Sequence, residues 1–439
     1  MHNLAIALHR KGIRVSGSDD AIKNPSRSRL AAEGLLPTSE GWFPDNIHPE
    51  LDGVILGMHA REDNPELQRA RELDLPVWSF PEYVYRESAK KLRVAVCGSH
   101  GKTSITAMIM AVLETVGQDF DYLVGAQLDG FDVMVRMSDA PVIILEGDEY
   151  LASPLDRRPK FAHYRPQIAL LSGIAWDHVN VYPTYDDYLE AFRSLLRGLG
   201  PEDHVVYNKE DPTVVELVAA CATCQCHPYA CPSYAVKDGE LVAQVPGGAH
   251  TMQVIGRHNL LNAAGAARVA ALMGIPPEEA WAALAVFPGA ALRLQVLARG
   301  AGRTVIRDFA HAPSKVTAST QAVAEQLGGP ELVACLELHT FSSLNPAFMQ
   351  GYRGSLDAAG HAVVFYDPAA VAAKRLPALD TAIVKSALGR EDLHVFTDAK
   401  ALHDHLMAVM PKSKALLMMS SGPFGGLDLP ALARAYTRA

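Results

Sequence analysis

The chain has no basic surplus. Lysine and arginine number 40 against 49 aspartates and glutamates, a formal charge of -9. Nothing in that balance could neutralise a nucleic-acid backbone or an anionic membrane face. No nucleic-acid and no membrane partner is expected, so any phosphate-bearing ligand must be held locally, by loops and helix ends. The sequence also lacks an apolar run of membrane-spanning length and a charged-then-apolar leader. Cysteine is sparse, six in 439 residues, which suits a reducing, cytoplasmic setting. Low-complexity linkers and short-period repeats are missing as well. A chain this long with 49% hydrophobic and 20% charged residues must therefore divide among several ordinary packed domains.

One further absence lies at the start. A nucleotide-type α/β domain opens with a strand, a glycine-rich turn and then a helix. Here "MHNLAIALHRKG" already carries the helical pattern, and the strand and glycine turn are missing. A sheet without that strand would expose an unpaired edge. The expectation is that Met1 is an internal methionine of a longer natural protein.

What is present is a repeated strand–helix alternation, the signature of parallel sheets covered by helices. "IRVSGSD" reads as a strand ending in a turn, and "LDGVILGMHA" as another, followed by the capped helix "DNPELQRARELD". A second block runs from "KKLRVAVCG" through the apolar helix "SITAMIMAVLETVG" to the strands "PVIILEG" and "QIALLSGIAW". "PTYDDYLEAFRSLLRGL", with Thr184 as its cap, "GRHNLLNAAGAARVAALMG" and "PPEEAWAALAVF" are helices. From about Leu292 the strands "TVIRDFA", "ELVACLEL", "AVVFY", "LHVFT" and "KALLMMS" alternate with helices. This predicts an α/β protein of three unequal domains, with boundaries near 1–88, 89–290 and 291–439.

The stretch "VAVCGSHGKTS" carries the clearest chemistry. A buried β-branched strand feeds a Gly-x-x-Gly-Lys-Thr turn, too short for the common phosphate-loop pattern because Val96 stands where a glycine would be. Gly98 and Gly101 allow successive N–H groups to converge on an anion, and the helix start adds its partial positive charge. Lys102 would lie along the β- and γ-phosphates, and the Thr103 hydroxyl would ligate Mg²⁺. A glycine turn with no ligand has no use for the Lys-Thr pair. Magnesium needs another hard oxygen ligand, and "VIILEGDEY" places Glu146, Asp148 and Glu149 at a strand end; the alternative is a solvated acidic turn. His178, in "WDHVNVY", follows another strand and suits a metal or phosphate role or an ordinary turn. Asn259 and Asn262 share a helix face, where an amide could read adenine or cap the helix.

"CATCQCHPYAC" gathers Cys221, Cys224, Cys226, His227 and Cys231. Zinc would want four such ligands, but the spacing matches no paired-knuckle pattern. The expectation is thiols at a helix end and loop rather than a metal centre.

Taken in order, "GSHGKTS", "LEGDEY", "WDHVNVY", "GRHNLLNAAGA", "LRLQV" and "RDFAHAPSKV" resemble the Mur ligase family over nearly the whole chain. These are ATP-dependent enzymes that join amino acids or peptides to UDP-N-acetylmuramate. The shortened glycine loop is typical of the family. The resemblance implies a truncated Rossmann-like UDP-binding domain, a central P-loop ATPase domain and a C-terminal Rossmann-like domain for the amine. It implies ATP phosphates on Gly98, Ser99, His100, Gly101, Lys102, Thr103 and Ser104, and Mg²⁺ on Thr103 and Glu146, with His178 at a second metal. Asn259 would lie near the adenine, Arg293 would reach the phosphates, and Asp308 and His311 would flank the ribose side. A second histidine often follows in the family, where this chain has Ala312. Lys102, His178 and Arg293 would be catalytic. Ser16, Ser18, Asp19 and His59 frame the UDP pocket, although Ser-Gly-Ser-Asp also suits a plain strand-end turn. "DRRPKFAHYRPQIALLSGIAWDHVNVY" and "SSGPFGG" point to the tripeptide-adding recycling ligases of the family, with L-alanine addition the alternative and a non-ligase ATPase a second. "LELHTFSSLN" departs from both subfamilies.

Overall fold

The structure is a computed structural model that describes residues 1–125, 127–128, 131–176 and 181–438. The chain forms two compact units, Met1–Ala230 with Asn262–Ala280, and Cys231–Leu261 with Trp281–Ala439. Strands are numbered here in chain order and helices are given by their residues.

The first unit begins with helix His2–Arg10, whose Leu4, Ala7 and Leu8 join the apolar cluster that also holds Ala95, Ile143 and Phe192. Two short strands follow, β1 (Val54–Leu56) and β2 (Val77–Ser79), paired in parallel. Seven more strands form the main sheet: β3 (Leu92–Cys97), β4 (Asp121–Leu123), β5 (Val135–Arg136), β6 (Val142–Glu146), β7 (Ile168–Leu171), β8 (His204–Asn208) and β9 (Gln225–Tyr229). Their order is β5-β4-β6-β3-β7-β8-β9, parallel throughout except at β4–β5. Strand β3 is therefore central, with β6 and β7 as its neighbours. "VAV" and "IALL" are continuous apolar runs because helices cover both faces of such a sheet. Register sets Val96 opposite Glu146 and Cys97 opposite Leu171, so all three strand ends meet at one edge. The helix Lys102–Thr115 that follows β3 buries Ile105, Met108, Ile109, Met110, Val112 and Leu113, as a helix apolar on every side must.

The second unit starts with a meander, β10 (Tyr234–Lys237), β11 (Glu240–Val245) and β12 (Gly248–Met252). Its six-stranded sheet comprises β13 (Gln295–Gly300), β14 (Arg303–Asp308), β15 (Leu332–Glu337), β16 (His361–Phe365), β17 (His394–Phe396) and β18 (Ala415–Met419). The order is β13-β14-β18-β15-β16-β17, parallel but for the β13–β14 pair. Late-coming β18 is inserted between β14 and β15, so the chain reverses direction there, a position where open α/β sheets bind ligands.

Three expectations need correction. Ile13–Ser18 forms no ladder; Asp19 makes a single bridge to Gly41, and β1 spends its pairing on β2. The cysteine-rich stretch is a helix end and loop only in part: Cys221 ends helix Pro212–Cys221 and Cys224 and Cys231 lie outside strands, but Cys226 and His227 lie on edge strand β9, where Pro228 is tolerated because only one side needs partners. The meander replaces what the pattern left unassigned. Asp238 and Gly239 both take positive φ there, +51° and +78°, as a two-residue hairpin turn requires. The expected helices and the remaining strands stand where the pattern placed them, and Thr184 caps Tyr185–Arg197 in a reciprocal box with Asp187. Among the described residues no helix is long and apolar enough to cross a membrane.

Candidate functional site

The loop after β3 is built by two glycines that nothing else could replace. Gly98 has φ +123° and Gly101 φ +78°. A Cβ on Gly98 would lie 2.3 Å from the Ser172 hydroxyl, and one on Gly101 2.6 Å from the Asn262 amide oxygen. Both backbone angle and close approach exclude a side chain. Gly101 caps the helix Lys102–Thr115, so free N–H groups and the positive helix end face the same spot.

Ser99 is spent on scaffolding. Its N–H donates to the Gly173 carbonyl at 2.9 Å, and its hydroxyl donates to the Ala175 carbonyl and meets the Tyr188 hydroxyl, both at 2.8 Å. His100 is exposed, its Nδ1 2.8 Å from the Ser99 carbonyl. Ser104 is buried on the helix.

Lys102 turns back over the loop. Its Nζ donates to the Gly98 carbonyl and to Glu149 Oε2, each at 2.7 Å. Burial alone would lower this ammonium, but Glu149, helped by Asp148 and Glu146, outweighs it and holds the pKa above the usual value. Glu149 is 1% exposed. Beside it Asp148 accepts from Lys160 Nζ at 2.6 Å and from the Tyr150 N–H. Burial pushes Asp148 up and Lys160 pulls it down further, so it titrates below the ordinary carboxylate. Glu146 accepts from the Thr103 hydroxyl at 3.1 Å and from the Gly125 N–H at 3.0 Å. Burial is the larger influence on it, and its pKa stands above the ordinary value. Gly147 lets the acidic tip press against β3: a Cβ there would lie 2.4 Å from Cys97 Sγ. Thus Gly98, Gly101, Lys102, Thr103, Glu146 and Glu149 converge. Lys160, lining the same edge, carried no sequence signal because its pairing with Asp148 is not local, while Asn262, read with Asn259 as a candidate adenine reader or cap, stands against Gly101. His178 lies outside the described residues.

The second unit gathers another group. Asp308, 5% exposed at the end of β14, accepts from the N–H groups of Leu294 and Phe309 at 3.2 and 2.9 Å and from the Ser319 hydroxyl. Leu292 and Leu294 both have positive φ, +59° and +46°, and between them Arg293 lays its guanidinium 4.9 Å from the Phe309 ring centre. His311 packs edge-on against the same ring and has Nδ1 2.7 Å from the Phe309 carbonyl. Arg293, Asp308 and His311 are therefore neighbours around Phe309. Asn259 belongs to this unit, and its amide donates to the Ile255 carbonyl at 3.0 Å, a bond at the helix start. Burial keeps its neighbour His258 below the usual imidazole range despite Asp308.

Near the N-terminus the Ser18 hydroxyl donates to Glu66 at 2.7 Å, while Ser16, Asp19 and His59 are exposed. Burial and Asp20 raise the Asp19 pKa. Among the described residues the cysteines of this stretch form no disulfide, and His227 meets His204 at 3.0 Å.

Residues 96–270 match the Mur ligase middle domain, and residues 1–91 the Mur ligase family catalytic domain. A UDP-N-acetylmuramate–L-alanine ligase of Paenarthrobacter aurescens is 30% identical over 375 residues, covering 83% of this chain and 80% of that one. The UDP-N-acetylmuramate–L-alanyl-γ-D-glutamyl-meso-2,6-diaminoheptandioate ligase of Escherichia coli is 26% identical over 443 residues, 97% of this chain and 94% of its own. The crystal structure of the UDP-N-acetylmuramate–alanine ligase of Thermotoga maritima superposes with a TM-score of 0.68 at 23% identity, covering 99% and 95% of the two chains. The chain belongs to the Mur ligase family. Members of that family are ATP-dependent, amide-forming ligases, and this chain is an enzyme of that class.

Proposed function

We propose that this enzyme joins the carboxylate of UDP-N-acetylmuramate to the amine of L-alanine in peptidoglycan synthesis, using ATP. The observation that supports the ATP half is Lys102 held at the mouth of the glycine loop, beside the Thr103–Glu146 pair. The amine rests on relatedness: identity is 30% to the L-alanine ligase above and 26% to the tripeptide ligase. The tripeptide reading that "SSGPFGG" favoured is thereby moved to second place.

A carboxylate resists amines because its carbonyl is deactivated by charge and oxide is a poor leaving group. Transfer of the γ-phosphoryl group to a carboxylate oxygen, with ADP departing, removes both obstacles. The amine nitrogen then attacks the acyl carbon, loses a proton, and inorganic phosphate leaves. Such a reaction asks the protein mainly for alignment and charge compensation. Lys102 would exchange Glu149 for the β- and γ-phosphates, leaving the loop N–H groups of 100–104 to hold the remaining oxygens. Glu146, half-buried and without a salt bridge among the described residues, forms with Thr103 the hard-oxygen pair that suits Mg²⁺. When bound, that ion supplies positive charge to the phosphoryl oxygens.

His178 is assigned to a second metal, Asn259 to the adenine, and Arg293, Asp308 and His311 to the nucleotide. Ser16, Asp19 and His59 are assigned to the UDP moiety, with Ser18 positioned through Glu66. The division at 88 and 290 then separates sugar-nucleotide, ATP and amine functions. An ADP-release assay with UDP-N-acetylmuramate tests the whole reading. L-Alanine should give the higher kcat/KM; faster turnover with the tripeptide would instead select the second reading. ADP release that ignores both sugar and amine would make the chain a non-ligase ATPase.

A further inference from the structure

A cluster of three histidines lies among residues that the proposed function does not use. His361 is the first residue of β16, His394 the first of β17, and His405 sits on helix Ala399–Val409. Strand alternation puts His361, Val363 and Phe365 on one face. Register sets His394 beside Val363 and Phe396 beside Phe365, so both belong to that same face. The helix covers it with Leu402 and Leu406, which share an apolar cluster with Val363 and Phe365. His405, three residues after Leu402, is on the covering side of the helix. The three imidazoles therefore meet at the amino ends of the strands, while Asp308 and Glu337 mark the opposite, carboxyl ends.

One ligating nitrogen from each of the three lies within 4.8 Å of the others. The Nε2 atoms of His361 and His405 are 2.8 Å apart, which requires one of them to be unprotonated. The nearby Arg390 is balanced by Asp392 at 2.7 Å. Phe396 packs against the His405 ring at 4.9 Å, closing one side of the cluster.

We propose that His361, His394 and His405 bind one transition-metal ion of the Zn²⁺ class, tying β16, β17 and helix Ala399–Val409 together. Metal–nitrogen bonds of about 2.0–2.1 Å need nitrogen spacings of about 3.3–3.4 Å, between the closest and widest separations allowed here. Three imidazoles suit Zn²⁺, Ni²⁺ or Cu²⁺ and leave a fourth position for water, whereas Mg²⁺ demands oxygen ligands. Ligands on two strands and a packed helix are rigid enough to be preformed. The ion would act on stability and not on the transfer chemistry.

The test uses the full chain, stripped with chelator and titrated with Zn²⁺ by equilibrium dialysis and thermal unfolding. Wild type should take up one tight equivalent and unfold at a higher temperature with Zn²⁺, and Mg²⁺ should not substitute. His394→Ala, at an exposed position that should fold normally, should weaken that equivalent at least about tenfold, no less than loss of an outer-shell partner does. A Cys224→Ser/Cys226→Ser double variant should leave it intact. Co²⁺ bound in place of Zn²⁺ should show no thiolate charge-transfer band. Equal affinity in wild type and His394→Ala, loss in the cysteine variant, a thiolate band, or no tight equivalent would each overturn the proposal.

Discussion

Both units hold carboxylates at the carboxyl edge of a mostly parallel sheet, but they satisfy them differently. In the first unit Glu149 and Asp148 are met by lysine ammonium groups, Lys102 at 2.7 Å and Lys160 at 2.6 Å. In the second, Asp308 takes two backbone N–H groups and a serine hydroxyl, and Glu337 takes the Phe424 N–H and the Ser420 hydroxyl. A side-chain ion pair can be opened and re-formed with an incoming phosphate at little backbone cost. A carboxylate bonded to main-chain N–H groups pins a loop and cannot let go without moving it. The first arrangement suits exchange of a charged ligand; the second suits placing Arg293 and the residues around Phe309.

The largest expected effect breaks the first arrangement. Lys102→Met should lower kcat by about 10²–10³-fold or more, as removal of a preorganised positive group does. It should also destabilise the fold, by up to about 3–5 kcal/mol, since the buried Glu149 loses its ammonium partner. Adding Glu149→Gln to it should restore most of the stability and none of the turnover. Thermal unfolding and ADP release measured on both variants separate the two roles; recovery of turnover in the double variant would show that Lys102 serves only to neutralise Glu149.

The next effect probes the contrast from the other side. Asp308→Asn keeps the shape and can leave an oxygen on the two N–H groups that share Oδ1, but it puts an amide donor where Oδ2 accepts from the Ser319 hydroxyl and removes the charge. A cost of about 1–3 kcal/mol is expected, with the Leu292–Leu294 loop loosened and the KM for ATP raised. Arg293→Ala removes only the guanidinium that loop presents, so it should lower kcat/KM for ATP while stability stays within about 0.5 kcal/mol of wild type. A melting temperature that falls as far in Arg293→Ala as in Asp308→Asn would erase the distinction between pinning and presenting.

Legibility in the sequence followed the range of the interaction. Gly98, Gly101, Lys102 and Thr103 are adjacent, and the acids of "LEGDEY" directly end an apolar strand, so local pattern placed them correctly. The Lys102–Glu149 pair spans 47 residues and the Asp148–Lys160 pair 12, and no local rule selects which acid meets which lysine. "KDGE" was a hairpin signal in plain view, yet β10–β12 escaped because the apolar alternation around it is weak. "IRVSGSD" failed for the opposite reason: its alternation is good, but a strand also needs a ladder partner, and residues 13–18 have none among the described residues. Edge strand β9 hid behind its cysteines and Pro228, residues that speak against a central strand and are harmless at an edge.

The smallest effect concerns Glu146 and reverses the usual direction. Its pKa is raised, chiefly by burial, so the folded state prefers it protonated. An acid raised on folding favours the folded state at low pH; that advantage fades as pH climbs from the unfolded value through the folded one. Without metal, then, the ionised form costs stability at neutral pH, and Glu146→Gln should unfold at a slightly higher temperature than wild type there. The gap should close on acidification below the ordinary glutamate range. Asp148, lowered by Lys160, carries the opposite sign. Asp148→Asn should destabilise at neutral pH and lose its effect as pH falls through the depressed value. Magnesium with nucleotide should invert the first result alone, because a bound cation repays the Glu146 charge and the glutamine variant forgoes it. Equal melting curves for wild type and Glu146→Gln with and without Mg²⁺ and ATP would remove Glu146 from the metal site and leave its burial without a purpose.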